Sequence, residues 1–386
     1  MERLRVRPRD NWREVAEEHG FTFHTPDGER YWDETHAYRF TLREIEDGLE
    51  DPAEELEQMC FEVVERAVAD EEVLGRLAIP EMFRGYVADS WRNRERNLYG
   101  RMDFRYDGNG PAKLYEYNAD TPTSLYESAI FQWVWLEQAM EQGLIPEGAD
   151  QFNSLHERLT DAFGRFGIEG PLHLACARDT EEDLGTVEYL EDCARQAGLA
   201  TRRLFIEDIG LADNGRFTDL DDEPVRWLFK LYPWEWLMEE EFGSRIPDSG
   251  AQFIEPGWKA VLSNKGLLAL LWEMFEGHPN LLPAFFEDDP KAASLGGRYV
   301  RKPLLSREGA NITFVENGRA STGLDGPYGA EGFVRQALAP LPSFDGRRPM
   351  CGVWLVASEP AGMCIREDEG AVTTDDACFV PHFILD

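Results

Sequence analysis

The chain lacks most of the marks of common functional classes, and each lack excludes something. No apolar run approaches the ~18–20 residues that a bilayer-spanning helix needs, so a membrane protein is not expected. The N-terminus, MERLRVRPRDNWREV, is charged and has no secretory apolar stretch, which makes a cytoplasmic protein the expectation. The 6 cysteines (60, 176, 193, 351, 364 and 378) include no CxxC pair, and the 7 histidines include no HxxxH pair. A disulfide framework and a structural zinc site are therefore not indicated, and small buried thiols are expected. GxxxxGK[ST] is absent and no GxGxxG follows a strand pattern, which excludes the Walker phosphate loop and the dinucleotide fingerprint.

Lysine is scarce: only Lys113, Lys230, Lys259, Lys265, Lys291 and Lys302 stand among 39 basic residues. Against them are 74 acids, for a net charge of −35. Such a field repels nucleic acid and anionic membranes, so neither is an expected partner. Two readings of the acidity stay open. One is a surface adapted to a salty or GC-rich host; the other is recruitment of a cationic substrate such as a polyamine.

What is present is enough for a large core: 386 residues, 42% hydrophobic and 12% aromatic, material for two or three domains. Residues 1–95 read as mainly helical, with apolar positions at helical spacing across LREIEDGLEDPAEELEQMCFEVVERAVADEEVLGRL and acids on the other face. Residues 96–258 begin with two strand patterns around Asp107-Gly108-Asn109-Gly110 and continue as alternating helix and strand, an α/β rhythm. Residues 259–386 read as a helix followed by strand–loop–strand units, an α+β ending suited to clamping a nucleotide, with a lid at about 296–340. No internal repeat or low-complexity linker appears, so close packing of these regions is expected.

Four short constellations carry possible chemistry. If the first hairpin has an even loop, Arg101 and Asp103 share a face with Glu116 and Asn118. Two carboxylates and an amide oxygen are hard ligands suited to Mg²⁺, and an arginine beside them neutralises phosphate; a solvated hairpin carries the same residues. Lys302-Pro-Leu-Leu-Ser-Arg307-Glu-Gly309-Ala-Asn311 places a strand-end lysine before a glycine loop, as a phosphate-covering flap or a plain surface hairpin would. Lys265 sits in Ser-Asn-Lys-Gly ahead of a helix. Arg366, in Cys-Ile-Arg-Glu-Asp-Glu, emerges from a strand pair into an acidic turn.

In this order the segments RMDFRYDGNGPAKLYEYNADTPTSLYE, LSNKGLLALLW, RKPLLSREGANI and CIREDEG resemble the synthetase domain of the glutathionylspermidine synthetase family. The likeness is closer to stand-alone bacterial homologues named as acid–amine ligases, and weaker similarity covers nearly the whole chain. The resemblance implies an ATP-grasp fold of mixed α+β and α/β class, preceded by helical and pre-ATP-grasp regions. It implies that Asp103, Glu116 and Asn118 ligate two Mg²⁺ ions. It further implies that Lys265 and Lys302 hold the ATP phosphates, with Arg307, Gly309 and Asn311 forming the lid over them. Gln336, Ala337 and Leu338 would meet the adenine, and Arg101 and Arg366 would face the transferred phosphoryl group. Thr121, Thr123 and Ser124 match small hydroxyl positions that would bind the substrate carboxylate. Glu181 and Glu182 match a paired-acid motif near the substrates, although acids also suit a helix N-terminus.

The implied reaction is ATP-dependent ligation of a peptide-like acid to an amine through an acylphosphate. A polyamine-contacting acid of the family aligns with Cys378, with Asp375 or Asp376 as substitutes, and this departure leaves spermidine open. No counterpart of the amidase half of bifunctional members is seen, so no hydrolysis of the amide is implied. Two other readings stand beside the ligase: an ATP-binding pseudoenzyme or regulatory subunit, and a metal-dependent hydrolase using Asp103 and Glu116.

Overall fold

Alternation of buried and facing residues on either side of Asp107–Gly110 closes as a β-hairpin, with Gly108 and Gly110 at φ of +79° and +71° making the turn. A computed structural model of the chain describes every residue except 179, 308, 371, 372 and 374–376, and the side chain of residue 27. Strands Tyr99–Arg105 and Lys113–Asn118 pair antiparallel, with Arg101 opposite Asn118 and Asp103 opposite Glu116; a register shift follows Asp103. Tyr99–Arg105 also pairs with Arg348–Val356, which pairs with Glu359–Asp368 and through it with Cys378–Phe379. The result is a five-stranded antiparallel sheet that unites segments on both sides of residue 259.

A second five-stranded antiparallel sheet has the order Ala284–Phe286, Phe333–Ala337, Arg298–Pro303, Thr313–Glu316, Arg319–Thr322. The loop expected to form a lid joins two of its neighbouring strands, Arg298–Pro303 and Thr313–Glu316. The third unit is a four-stranded sheet ordered Gln252–Ile254, Trp227–Leu231, Leu172–Cys176, Thr201–Phe205, parallel throughout. Its strand Leu172–Cys176 is buried at every position, as a strand covered on both faces must be. Helices Leu155–Arg165 and Glu181–Gln196 accompany it.

The N-terminal helix Asp51–Ala69 buries Leu56, Met59, Cys60, Val63, Val64 and Ala67, a stripe at spacings of three and four. Pro52 sits in its first turn, where no amide hydrogen is needed. Two strands accompany the helices here: Glu2–Arg5 and His36–Phe40 form a three-stranded sheet with His382–Ile384, so both chain ends lie in one sheet. Gly266–Met274, apolar around most of its circumference, packs between Asp51–Ala69 and Ala284–Phe286. Tyr99 and Trp354 stack with centroids 6.1 Å apart and seat the parallel unit on the central sheet. Among the described residues, no helix is long and apolar enough to cross a membrane.

Candidate active site

The period-two geometry of the hairpin puts Arg101, Asp103, Glu116 and Asn118 on one face. Asp103 is fully buried and saturated with donors. Arg101 Nε reaches its Oδ1 at 2.7 Å, while Arg101 Nη2, Asn118 Nδ2 and Arg366 Nη2 reach Oδ2 at 3.1, 3.0 and 2.9 Å. Burial works against the Arg101 charge and Asp103 more than restores it, raising the guanidinium pKa. Room for this knot depends on Gly352: a Cβ there would lie 2.8 Å from Arg101 Cδ and 3.1 Å from Asp103 Oδ1.

Beside it, Lys265 Nζ lies 3.3 Å from Glu116 Oε2 and donates to the Ser306 carbonyl at 2.5 Å. Lys302 donates to the Tyr115 carbonyl at 2.9 Å. Burial pushes the Glu116 carboxyl up, but Lys265 and then Lys302 overcome it and hold it at about 2. Burial brings Lys302 down to about 8 in spite of Glu116. Of these groups, Tyr115, Glu116 and Lys302 line a cleft of about 850 Å³ between the hairpin and the second sheet. Gly309, Gln336 and Leu338 are also among its lining. Val300, Ile312 and Phe314 supply apolar wall, which suits a flat ring at one end and charge at the other.

Arg101, Arg366, Lys265 and Lys302 outnumber Asp103 and Glu116, so a local cationic excess sits inside a strongly acidic chain. A polyanion is what such a place attracts. Among the described residues, no three His, Cys, Asp or Glu gather to hold a metal. Two carboxylates and an amide oxygen are hard donors of the kind Mg²⁺ takes together with phosphates and water. Here both Asp103 oxygens are engaged by Arg101, Arg366 and Asn118, and Glu116 lies beside Lys265, so an ion would have to displace some of these contacts.

The loop after Asn118 leads to a second cluster. Asp120 anchors it, accepting from Lys230 Nζ at 2.6 Å and from the Trp234 amide at 2.9 Å. The Thr121 hydroxyl accepts from Arg307 at 2.6 Å, and the Thr123 carbonyl accepts from Arg101 Nη1 at 2.7 Å. Ser124 is buried at φ +73°. Glu127, also buried, accepts the Tyr31 hydroxyl at 2.5 Å; burial raises it to about 7, against that hydrogen bond. Burial, and next the Glu127 charge, pushes Glu182 to about 8, while a Thr123 hydrogen bond pulls the other way.

Arg101, Asp103, Glu116, Asn118, Lys265, Lys302 and Arg366 thus converge, with Gly309, Gln336 and Leu338 on the adjoining cleft. Glu182 joins the Thr123 loop, whereas Glu181 is exposed. Arg307 does not line the cleft; its Nε bonds Glu235 Oε1 at 3.0 Å. Asn311, at φ +57°, spends its Oδ1 on the Tyr328 amide at 3.2 Å. Cys378 is buried, with its Sγ 3.7 Å from the Phe379 carbonyl; Asp375 and Asp376 lie outside the described residues. Sequence reasoning missed Tyr31, Glu127, Glu235 and Gly352. Glu127 alone had a local signal, since it closes the motif ending Ser-Leu-Tyr-Glu.

Residues 3–385 match the glutathionylspermidine synthase preATP-grasp family. A Haemophilus influenzae protein whose assigned name is that of an acid–amine ligase is 44% identical over 385 residues, covering 95% of each chain. Crithidia fasciculata trypanothione synthetase is 27% identical over 84% of this chain, and the Escherichia coli bifunctional glutathionylspermidine synthetase/amidase 26% over 92%. The chain spans only 53% and 60% of the lengths of these two. In fold it is similar to a glutathione synthetase-like effector of Globodera pallida, with a TM-score of 0.58 at 11% identity, covering 97% of this chain and 96% of that one.

Proposed function

The chain belongs to the glutathionylspermidine synthase preATP-grasp family, and from that premise we propose that it is an ATP-dependent, ADP-forming acid–amine ligase of ATP-grasp type. The observation that carries this reading is the meeting of Arg101, Arg366, Lys265 and Lys302 around Asp103 and Glu116; of these, Glu116 and Lys302 also line the cleft.

ATP would lie along the cleft with its base against Gln336, Ala337 and Leu338 and its phosphates toward Lys265 and Lys302. Asp103, Glu116 and Asn118 would hold Mg²⁺, which when bound offsets phosphate charge. The substrate carboxylate, a peptide-like acid such as glutathione, would sit by Thr121, Thr123 and Ser124. One carboxylate oxygen attacks the terminal phosphorus, the bond to ADP breaks, and an acylphosphate forms. Arg101 and Arg366 stabilise charge on the phosphoryl oxygens as it moves, a positioning and electrostatic task. An amine nitrogen then attacks the acyl carbon, phosphate leaves, and the amine gives up a proton.

Glu127 and Glu182 support a cationic amine, a polyamine included. Two carboxyls kept partly protonated by burial gain a partner when an ammonium arrives. Their raised pKa values also suit taking the proton that the attacking nitrogen releases. Closure of the lid segment from Arg307 to Asn311 would keep water from the acylphosphate.

The test is ADP release with Mg²⁺-ATP across a matrix of small peptides, glutathione included, against polyamines and amino acids. ADP that depends on one acid–amine pair, with a product lighter than the pair by one water, supports the ligase. ADP release indifferent to both acid and amine overturns it.

A further inference from the structure

The guanidinium of Arg307 is not turned to the nucleotide cleft but is captured on the opposite side. Its Nε donates to Glu235 Oε1 at 3.0 Å and its Nη1 to the Thr121 hydroxyl at 2.6 Å. Both ends of this clamp are fixed by one buried group. Asp120 precedes Thr121 and accepts the amide of Trp234, which precedes Glu235; the buried Lys230 ammonium completes the tie at 2.6 Å. The separation of Thr121 and Glu235 is therefore set before Arg307 arrives. The Trp236 ring, 5.8 Å from Arg307 Cζ, stands beside the same group.

We propose that Glu235 is a positioning residue for the acid substrate, holding the lid arginine at Thr121 so that it binds the substrate carboxylate. This rests on the ligase reading above. Among the described residues, Arg307 Nη2 makes no hydrogen bond, which leaves donors beside the Thr121 hydroxyl. A carboxylate at that place meets a guanidinium whose pose is already determined, so little side-chain freedom is lost on binding. The side chains of Arg307 and Glu235 are 24% and 15% exposed, sheltered enough for the pair to hold yet open to a small ligand. An empty acid site leaves the arginine paired with Glu235.

Two measurements test this. Trypsin cuts after Arg307 only when the guanidinium leaves its partners and enters the protease. In the protein without ligands, Glu235→Ala is expected to raise that cleavage rate about fivefold, since cleavage follows the population of the released state. Equal rates in wild type and variant overturn the proposal whether or not a ligase reaction has been found. With a working acid–amine pair, Glu235→Gln is expected to raise KM for the acid about tenfold, the loss of one charge-assisted hydrogen bond. KM for the amine and Kd for Mg²⁺-ATP stay within about twofold, because Glu235 reaches neither. An unchanged acid KM, or an equal rise in the ATP Kd, overturns the proposal. Failure of the ligase reading itself shows differently, as no acid–amine pair that releases ADP.

Discussion

Arg366 and Asp103 meet at 2.9 Å although 263 positions separate them in the chain, and a strand lies between theirs. That strand presents Gly352 opposite Asp103 on one side and Cys364 on the other. The sheet order therefore lets one carboxylate collect arginines from its own strand and from the strand beyond its neighbour.

Gly352→Ala should damage the site before the fold. The new methyl group would sit 2.8 Å from Arg101 Cδ and 2.9 Å from Cys364 Sγ, well inside van der Waals contact. Overpacking of this kind costs about 1–3 kcal/mol. A lowered urea midpoint with an unchanged slope, together with ligase activity reduced more than tenfold (about 1.4 kcal/mol in the barrier), is the expected result. Wild-type activity in a fully folded variant would show that the arginine knot tolerates displacement and is not tuned.

Asp103→Asn and Glu116→Gln keep shape and remove charge. Each should lower turnover by at least about a hundredfold while leaving circular dichroism unchanged. Asp103→Ala should behave differently, because it strands Arg101, which is only 4% exposed, and deprives Arg366 of its carboxylate. Removing one partner of a buried pair costs about 3–5 kcal/mol, so its denaturation midpoint should fall well below that of Asp103→Asn. Equal midpoints for Asn and Ala would refute the claim that Asp103 holds the two arginines in place.

The hairpin was legible because its information is local: alternation with period two, a glycine turn, and charged residues at matching distances from it. The same holds for the strand–loop–strand of Arg298–Pro303 and Thr313–Glu316 and for the buried strand Leu172–Cys176. Sheet neighbours were not legible, since nothing near Tyr99–Arg105 in sequence names Arg348–Val356 as its partner. Gly352 acquires meaning only through that pairing. Tyr31 comes from the N-terminal region and reaches Glu127 across 96 positions, a contact no local pattern encodes. Arg307 is less legible still. Its loop was recognised, yet which side its guanidinium serves depends on Glu235, whose own placement depends on the distant Asp120.

Glu127 and Glu182 make a pH prediction whose sign can be worked out. Their folded-state pKa values, about 7 and about 8, lie above the ordinary carboxyl range, so the folded protein keeps protons that the unfolded chain has released. Their contribution to stability is greatest below about pH 4.3, the usual glutamate value, and is lost as pH rises to about 8. Glu127→Gln and Glu182→Gln should each flatten the fall in unfolding free energy between pH 5 and 8, measured by urea titration. Binding of an ammonium favours both ionised forms, so affinity for the amine should rise over the same interval. Parallel stability profiles for wild type and the double variant would remove this account of the pair.

Lys302 offers a test of nucleotide binding that needs no turnover. Burial holds its ammonium down to about 8 despite Glu116, so at pH 8.5 a large fraction is neutral in the free protein. Phosphates brought beside it favour the charged form and are themselves already ionised at that pH. Binding should therefore take up a fraction of a proton, and the uptake should vanish at pH 6.5, where Lys302 is charged throughout. Calorimetric titration of a non-hydrolysable ATP analogue in two buffers of different ionisation heat reads this directly. The heats should differ between buffers at pH 8.5 and coincide at pH 6.5. Lys302→Arg separates the proton from the charge: arginine stays protonated at both values, so binding should persist with buffer-independent heats. If the wild-type heats coincide at pH 8.5 although the analogue binds, Lys302 does not face the phosphates, and its place on the cleft reflects only its hydrogen bond to the Tyr115 carbonyl.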